Sequence, residues 1–107
     1  MGLRDLFRAV TRAAPPAGGD GKVRTKSGDE LDLELFKKDS CPFCQRVYDA
    51  VARHKLPVRL RDILRESEAA ETLVRVGGKR QVPCLFVDGK PLYESADIVR
   101  FLDQNFA

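Results

Sequence analysis

The chain has 107 residues, of which 43% are apolar and 33% are charged. This composition predicts one soluble globular domain and excludes a disordered or membrane-embedded chain. No apolar run reaches the roughly 18–20 residues that span a bilayer. The net charge of +3 originates in residues 1–26, which carry +4, whereas residues 27–107 carry −1. The domain itself is therefore not predicted to bind nucleic acid.

The N-terminal segment differs from the rest of the chain. Residues 3–14 have the spacing of an amphipathic helix, with apolar side chains on one face and arginines on another: Leu3, Leu6, Phe7, Val10, Arg4, Arg8 and Arg12. A flexible linker rich in proline and glycine follows. We therefore divide the chain into residues 1–28 and a domain at 29–107.

Three roles for this helix remain open. It packs on the domain or on a partner chain, it contacts a membrane surface, or it is a cleavable targeting peptide, against which Asp5 counts. The segment lacks the continuous apolar region of a secretory signal. We therefore expect a cytoplasmic protein, with peripheral membrane contact through residues 3–14 as one of these alternatives.

The rest of the sequence alternates between strand and helix patterns. Period-two alternation predicts strands at residues 31–37 and 58–61, and helical spacing predicts helices at 42–54 and 66–76. A continuous apolar run predicts a buried strand at 84–87, and Asp88-Gly89 predicts a hairpin to a strand near 90–93. Ser95 is expected to be the N-cap of the last helix.

This order predicts an α/β fold. The elements follow one another as β-α-β-α-β-β-α, after the N-terminal helix. A strand–helix–strand unit followed by a hairpin implies a four-stranded mixed sheet with helices on both faces. Two buried stripes are predicted within the first two helices, formed by Phe43, Val47, Ala50 and Val51, and by Ala69, Ala70, Leu73 and Val74.

The segment Cys41-Pro42-Phe43-Cys44 lies where the first strand gives way to the first helix. Two cysteines at this spacing can form a disulfide, and a helix N-terminus stabilises a thiolate, which is the form that attacks disulfides. The pattern predicts thiol–disulfide exchange. Three cysteines are too few for a disulfide-stabilised secreted scaffold, so a reducing compartment is expected.

Metal binding is a poor alternative role for these cysteines. A zinc site would need a second pair of ligands, but only Cys84 and His54 remain, and neither has a paired spacing. No metal site is therefore predicted. Cys84 follows Pro83 at the start of a buried strand, which suits a core residue. A redox-sensitive third thiol is the alternative.

The CxxC motif, the element order and Gln81-Val82-Pro83 together resemble the thioredoxin fold. Within that fold, residues 41–47 look like a glutaredoxin active site, and Lys38 matches a lysine common in that family. Residues 92–98 look more like the N-terminal domain of glutathione S-transferases. The resemblance covers residues 31–107.

The resemblance implies a glutathione-dependent dithiol oxidoreductase. Cys41 would be the nucleophile and Cys44 the resolving thiol, and Pro83 would be cis. Glutathione would serve as the reductant, with no tightly bound cofactor. Expected partners are glutathionylated or disulfide-containing proteins and, indirectly, glutathione reductase with NADPH. The implied glutathione-binding residues are Lys38, Phe43, Val82, Pro83, Glu94 and Ser95.

Two other functions of the chain remain open from the sequence. The chain could be a glutathione-binding or iron–sulfur carrier module with little reductase activity. It could also be the thiol half of a larger transferase-like enzyme, a reading weakened by the end of the sequence directly after the last helix. Among single residues, Ser95 could be only a helix cap, and Lys38 only a solvated loop lysine.

Overall fold

The computed structural model describes residues 16–106. The helix predicted at residues 3–14 lies outside the described residues, so its three alternative roles stay predictions. Within residues 16–106, none of the helices has the length and hydropathy that a bilayer crossing requires.

The described part of the chain contains five strands and three α-helices, the second of which continues into a π-helical turn. In chain order these elements are β1 (Lys22–Arg24), β2 (Glu30–Lys37), α1 (Pro42–Arg53), β3 (Arg59–Asp62), α2 (Ser67–Thr72), the π-helical turn (Leu73–Gly77), β4 (Cys84–Val87), β5 (Lys90–Tyr93) and α3 (Ser95–Asn105).

Strand β2 is the centre of a mixed sheet. It pairs with β4 in antiparallel and with β3 in parallel orientation. β5 pairs with β4 across the hairpin, and β1 pairs with the first residues of β2. The backbone of Gly19 and Gly21 donates to the carbonyls of Val58 and Pro57, so β1 and β3 follow one another along the same edge of β2.

Two apolar cores lie on opposite faces of this sheet, because successive strand side chains alternate between faces. Leu33 and Leu35 of β2 pack against α1 and α3. Phe36 points the other way and packs against Phe86, Ala69 and Leu73. Helices on both faces of the sheet were predicted, and the structure confirms this arrangement.

The predicted element order is present, and four details need correction. Residues 22–24, predicted to be linker, form strand β1 and make the sheet five-stranded. Phe43 and Val74, predicted to be buried, are 53% and 46% exposed. The N-cap of α3 is Glu94, and Ser95 is the first helical residue. The division between residues 1–28 and 29–107 stays a prediction.

Replacement of a central core leucine should destabilise the fold strongly. Leu35 is fully buried in β2, and a Leu35→Ala change leaves a cavity, which should lower the free energy of unfolding by about 2–5 kcal/mol. Leu64→Ala is the matched control, because Leu64 is 65% exposed. This substitution should lower the free energy of unfolding by less than about 0.5 kcal/mol. Urea unfolding followed by circular dichroism measures both, and equal effects would contradict the described core.

Candidate active site

The two cysteines of the CxxC segment lie at the N-terminus of α1 in different environments. Cys41 is the N-cap, with extended backbone at φ −86° and ψ 119°, and Pro42 is the first helical residue. The missing N–H of proline costs nothing there. Cys41 is partly exposed, whereas Cys44, almost one turn further, is fully buried. Only the first thiol can therefore be reached by a substrate without rearrangement of the fold.

Burial changes the acidity of the inner thiol. Desolvation, reinforced by the neighbouring Cys41 thiol, raises the pKa of Cys44 to about 12. Cys44 is therefore protonated at neutral pH in this conformation. A protonated thiol is a poor nucleophile, so Cys44 can act only after the outer sulfur has reacted and the local environment has changed.

The loop before β4 lies against the outer thiol. The Val82–Pro83 peptide bond is cis, which confirms the predicted isomer. The Cys41 Sγ lies 3.9 Å from the Val82 carbonyl oxygen, to which the thiol can donate. The strand register explains this contact: Phe36 is opposite Cys84, so the residues before Cys84 face the loop that leads to Cys41.

The N-terminus of α3 forms another wall. Glu94 caps the helix with a φ of 72°, a region that L-residues rarely occupy and that costs of order 1–3 kcal/mol. Ser95 is 7% exposed. Gln81 Nε2 donates to Glu94 Oε1 at 3.4 Å, which ties α3 to the loop before β4. The unpaired N–H groups at such a helix end suit a carboxylate.

These elements enclose a cleft of about 420 Å³. Cys41 does not itself line the cleft, but its Sγ lies 3.9 Å from the carbonyl oxygen of Val82, which does. The cleft contains all but one of the residues predicted to bind glutathione, together with three further residues for which no role in the site was predicted. The lining residues are Phe43, Arg46, Gln81, Val82, Pro83, Glu94, Ser95 and Ala96.

Lys38 is the predicted residue that does not line this cleft. Its carbonyl oxygen accepts a hydrogen bond from the Cys41 N–H at 3.0 Å, so its backbone helps to fix the position of the outer cysteine. Its role in binding glutathione stays a prediction.

Arg46 could have been recognised from the sequence. It follows Phe43 by three residues, and residues three apart share a helix face. Its guanidinium carbon lies 5.6 Å from the centre of the Phe43 ring. The half-exposed ring and the guanidinium thus form one continuous wall of the cleft.

A partly buried polar cluster around Lys37 lies at the same end of the sheet. Lys37 Nζ donates to Asp39 Oδ1 at 2.7 Å and to Asp62 Oδ2 at 3.3 Å. The Tyr48 hydroxyl donates to Asp39 Oδ1 at 2.8 Å. The Lys37 side chain is only 9% exposed. Lys37 follows Leu35 by two residues and therefore lies on the same apolar face of β2. A lysine at this position of the alternating pattern was the sequence feature that indicated a buried charge.

The cluster keeps its lysine and Asp39 charged. Burial alone would lower the pKa of Lys37, but its hydrogen bonds to Asp39 and Asp62 outweigh this effect and raise the pKa. The bonds from Lys37 and Tyr48 lower the pKa of Asp39. The loop between β2 and α1 is thereby pinned directly before Cys41.

The third cysteine lies in a different core from the inner thiol of the CxxC segment. Cys84 is fully buried in the core that contains Phe36 and Phe86, on the other sheet face from Cys44. Burial raises its pKa to about 11. Its location agrees with the core role predicted for it.

A CxxC segment at a helix N-terminus, facing a cis-proline on a mixed sheet, defines a thioredoxin-like thiol oxidoreductase. The family model for glutaredoxin matches residues 33–92. Since this match covers more than half of the chain, the protein belongs to the glutaredoxin family. A comparison with curated protein sequences gives no match.

Solved structures share the fold. A tau-class glutathione S-transferase from mango, Mangifera indica, matches 67% of this chain at 21% identity and a TM-score of 0.57. The chain spans 33% of that protein. Wheat glutaredoxin matches 67% of this chain and 70% of its own, at 25% identity and a TM-score of 0.54.

A third structure is the holo form of glutaredoxin C1 from Populus tremula x tremuloides. It matches 67% of this chain and 73% of its own, at 23% identity and a TM-score of 0.54. The transferase match shows that the fold is shared with that class of protein, in agreement with the predicted resemblance. The glutaredoxin likeness and the family match together support a thiol oxidoreductase type of function.

The three thiols should differ sharply in reactivity. Brief treatment of the native protein with iodoacetamide at about pH 8 should label Cys41 alone, because Cys44 and Cys84 are buried and protonated. The same treatment in urea should label all three. Peptide mass spectrometry measures the pattern, and comparable native labelling of Cys84 and Cys41 would contradict the described burial.

Removal of the buried lysine should destabilise the fold. Lys37→Met removes the buried cation from Asp62, whose side chain is only 12% exposed. The free energy of unfolding should therefore fall by about 3 kcal/mol. Lys90→Met is the control, because Lys90 is exposed and forms no ion pair within residues 16–106. Urea unfolding at pH 7 measures both variants.

The Lys37 contribution should depend on pH in a defined direction. The pKa of Asp39 in the folded protein is below its ordinary value of 3.8, so its bond to Lys37 contributes fully above about pH 4. The contribution is lost as the pH falls through the folded-state pKa. The stability difference between wild type and Lys37→Met should therefore shrink in acid. If this stability difference instead grew at low pH, the bond between Lys37 and Asp39 would not stabilise the fold.

Proposed function

We propose that the protein is a glutathione-dependent dithiol oxidoreductase that reduces glutathione mixed disulfides and protein disulfides. The observation that carries this proposal is the pair of unequal thiols beside a cleft. Cys41 is partly exposed, Cys44 is fully buried, and the adjoining cleft of about 420 Å³ has the size of a small-molecule site.

The first step uses Cys41 alone. Its thiolate attacks the glutathione sulfur of a mixed disulfide, and a new disulfide forms between Cys41 and glutathione as the old one breaks. The substrate sulfur leaves with the electron pair and takes up a proton. Attack on the glutathione sulfur is favoured if the cleft holds glutathione rather than the protein part of the substrate.

Two routes then regenerate the enzyme. A second glutathione attacks the sulfur of the bound glutathione, which releases oxidised glutathione and the Cys41 thiolate. When the substrate is a protein disulfide, Cys41 is joined to the substrate instead, and Cys44 attacks the Cys41 sulfur. This attack releases the reduced substrate and leaves a Cys41–Cys44 disulfide, which two glutathione molecules reduce.

The cleft offers groups that match the parts of glutathione. The backbone at Val82 would pair with its peptide groups as an added strand does. The N-terminus of α3, with Glu94 and Ser95, would hold the γ-glutamyl end, where a carboxylate and an ammonium group lie close together. Phe43 and Pro83 would contact the region around the sulfur.

Substitutions of the two cysteines should have different effects on turnover. Cys41→Ser should abolish all activity, because no other partly exposed thiol lies within residues 16–106. Cys44→Ser should retain reduction of the mixed disulfide of cysteine and glutathione, because that route does not use the inner thiol. It should lose most reduction of protein disulfides. The assay couples glutathione and glutathione reductase to NADPH oxidation.

Opposite results would contradict the mechanism. Loss of mixed-disulfide reduction in folded Cys44→Ser would show that the monothiol route does not operate. Binding of glutathione without turnover in the wild type would favour the carrier alternative. A glutathione-dependent absorbance band after anaerobic purification would then identify a bound iron–sulfur cluster.

A further inference from the structure

A second, shallow groove shares the loop before β4 with the cleft. It has a volume of about 490 Å³, and we call it the basic groove. Arg80 lies in this groove, and the next residue, Gln81, lines the cleft. Consecutive residues of the loop before β4 therefore connect the two depressions. The basic groove is lined by Ala70, Glu71, Val74, Arg75 and Arg80.

Arginine charge is unbalanced around this groove. Residues 16–106 contain nine arginines, and six of them form ion pairs with carboxylates: Arg24, Arg53, Arg59, Arg61, Arg65 and Arg100. The three that have no ion pair in this part of the chain are Arg46 of the cleft and Arg75 and Arg80 of the basic groove.

The π-helical turn adds an exposed aliphatic surface to the same place. If α2 continued as an α-helix, Val74 would follow Ala70 by four residues and share its inward face. The π-helical turn widens the helix after Thr72, and Val74 and Val76 are 46% and 47% exposed. Single π-helical turns occur often at functional sites. Here the turn brings a valine beside two arginines.

We propose that the basic groove binds the polypeptide of a protein substrate next to its disulfide and selects segments that carry carboxylates and an aliphatic side chain. This inference rests on the proposed function and names its substrate class. Two arginines against one glutamate, Glu71, favour an acidic occupant. The chain's own residues 1–15 are a poor match, because they carry three arginines and one aspartate.

The test compares substrates that differ only around the cysteine. Two synthetic peptides each carry one glutathionylated cysteine, flanked by glutamate and leucine or by lysine and leucine. The mixed disulfide of cysteine and glutathione lacks flanking residues altogether. At an ionic strength of about 0.01 M, the wild type should show a kcat/KM about fivefold higher for the acidic peptide. At about 0.15 M the preference should shrink as the charges are screened.

Variants of the basic groove should change the turnover of the two peptides alone. Arg75→Glu should reverse the order of the two peptides, and Val74→Ser should lower kcat/KM for both. Neither change should alter turnover of the small mixed disulfide. Lys90→Glu is the matched control, because it reverses an exposed charge at the far end of β5 from Glu94 and should leave the peptide order unchanged.

A binding measurement separates this inference from the proposed function. Fluorescence anisotropy of the labelled, reduced acidic peptide measures its affinity for the Cys41→Ser protein. This variant binds at the basic groove without any turnover. Loss of peptide affinity in Cys41→Ser/Arg75→Glu supports the inference even if no substrate is reduced. Equal affinity for acidic and basic peptides overturns it while leaving the oxidoreductase function intact.

Other occupants would give different results, each of which overturns the inference. A dimer that Arg75→Glu dissociates, seen by gel filtration with peptide affinity unchanged, would assign the groove to a second copy of the chain. Sedimentation with phosphatidylserine vesicles that depends on Arg75, again with unchanged peptide affinity, would assign it to a membrane surface.

Discussion

The pairing of β2 with β4 determines where the candidate active-site residues lie. Phe36 is opposite Cys84, and because the strands are antiparallel, the Val82–Pro83 loop meets the loop that leads to Cys41. On the other edge of β2, Lys37 is opposite Asp62 of β3, which anchors the same loop. A slip of one residue would exchange the faces of Leu35 and Phe36. The site is thus a consequence of strand register.

Much of this arrangement could be predicted from local sequence patterns. Alternation gave β2, the apolar run gave β4, and Asp88-Gly89 gave the hairpin, because each pattern depends on neighbouring residues alone. The CxxC segment indicated its chemistry because its position at a helix start is itself local. The cleft required the family resemblance as well, since nothing in the spacing of Val82 and Glu94 shows that they meet in space.

The remaining features arise from tertiary packing, which overrides local pattern. Phe43 fits the apolar stripe of α1, yet it faces the cleft, and its ring packs beside Arg46 instead. The Lys22–Arg24 segment forms a strand because β3 leaves the first residues of that edge of β2 unpaired. The composition of the segment does not indicate this pairing. The shift from α-helical to π-helical geometry after Thr72 likewise has no signature in single-residue propensities.

The sheet also separates the cysteines physically. Cys44 belongs to the core beneath α1, and Cys84 to the core on the other side. A bridge between them would require side chains that converge, which the intervening strands prevent while the domain stays folded. A Cys44–Cys84 disulfide, which would remove the inner thiol from the proposed cycle, is therefore excluded while the domain stays folded.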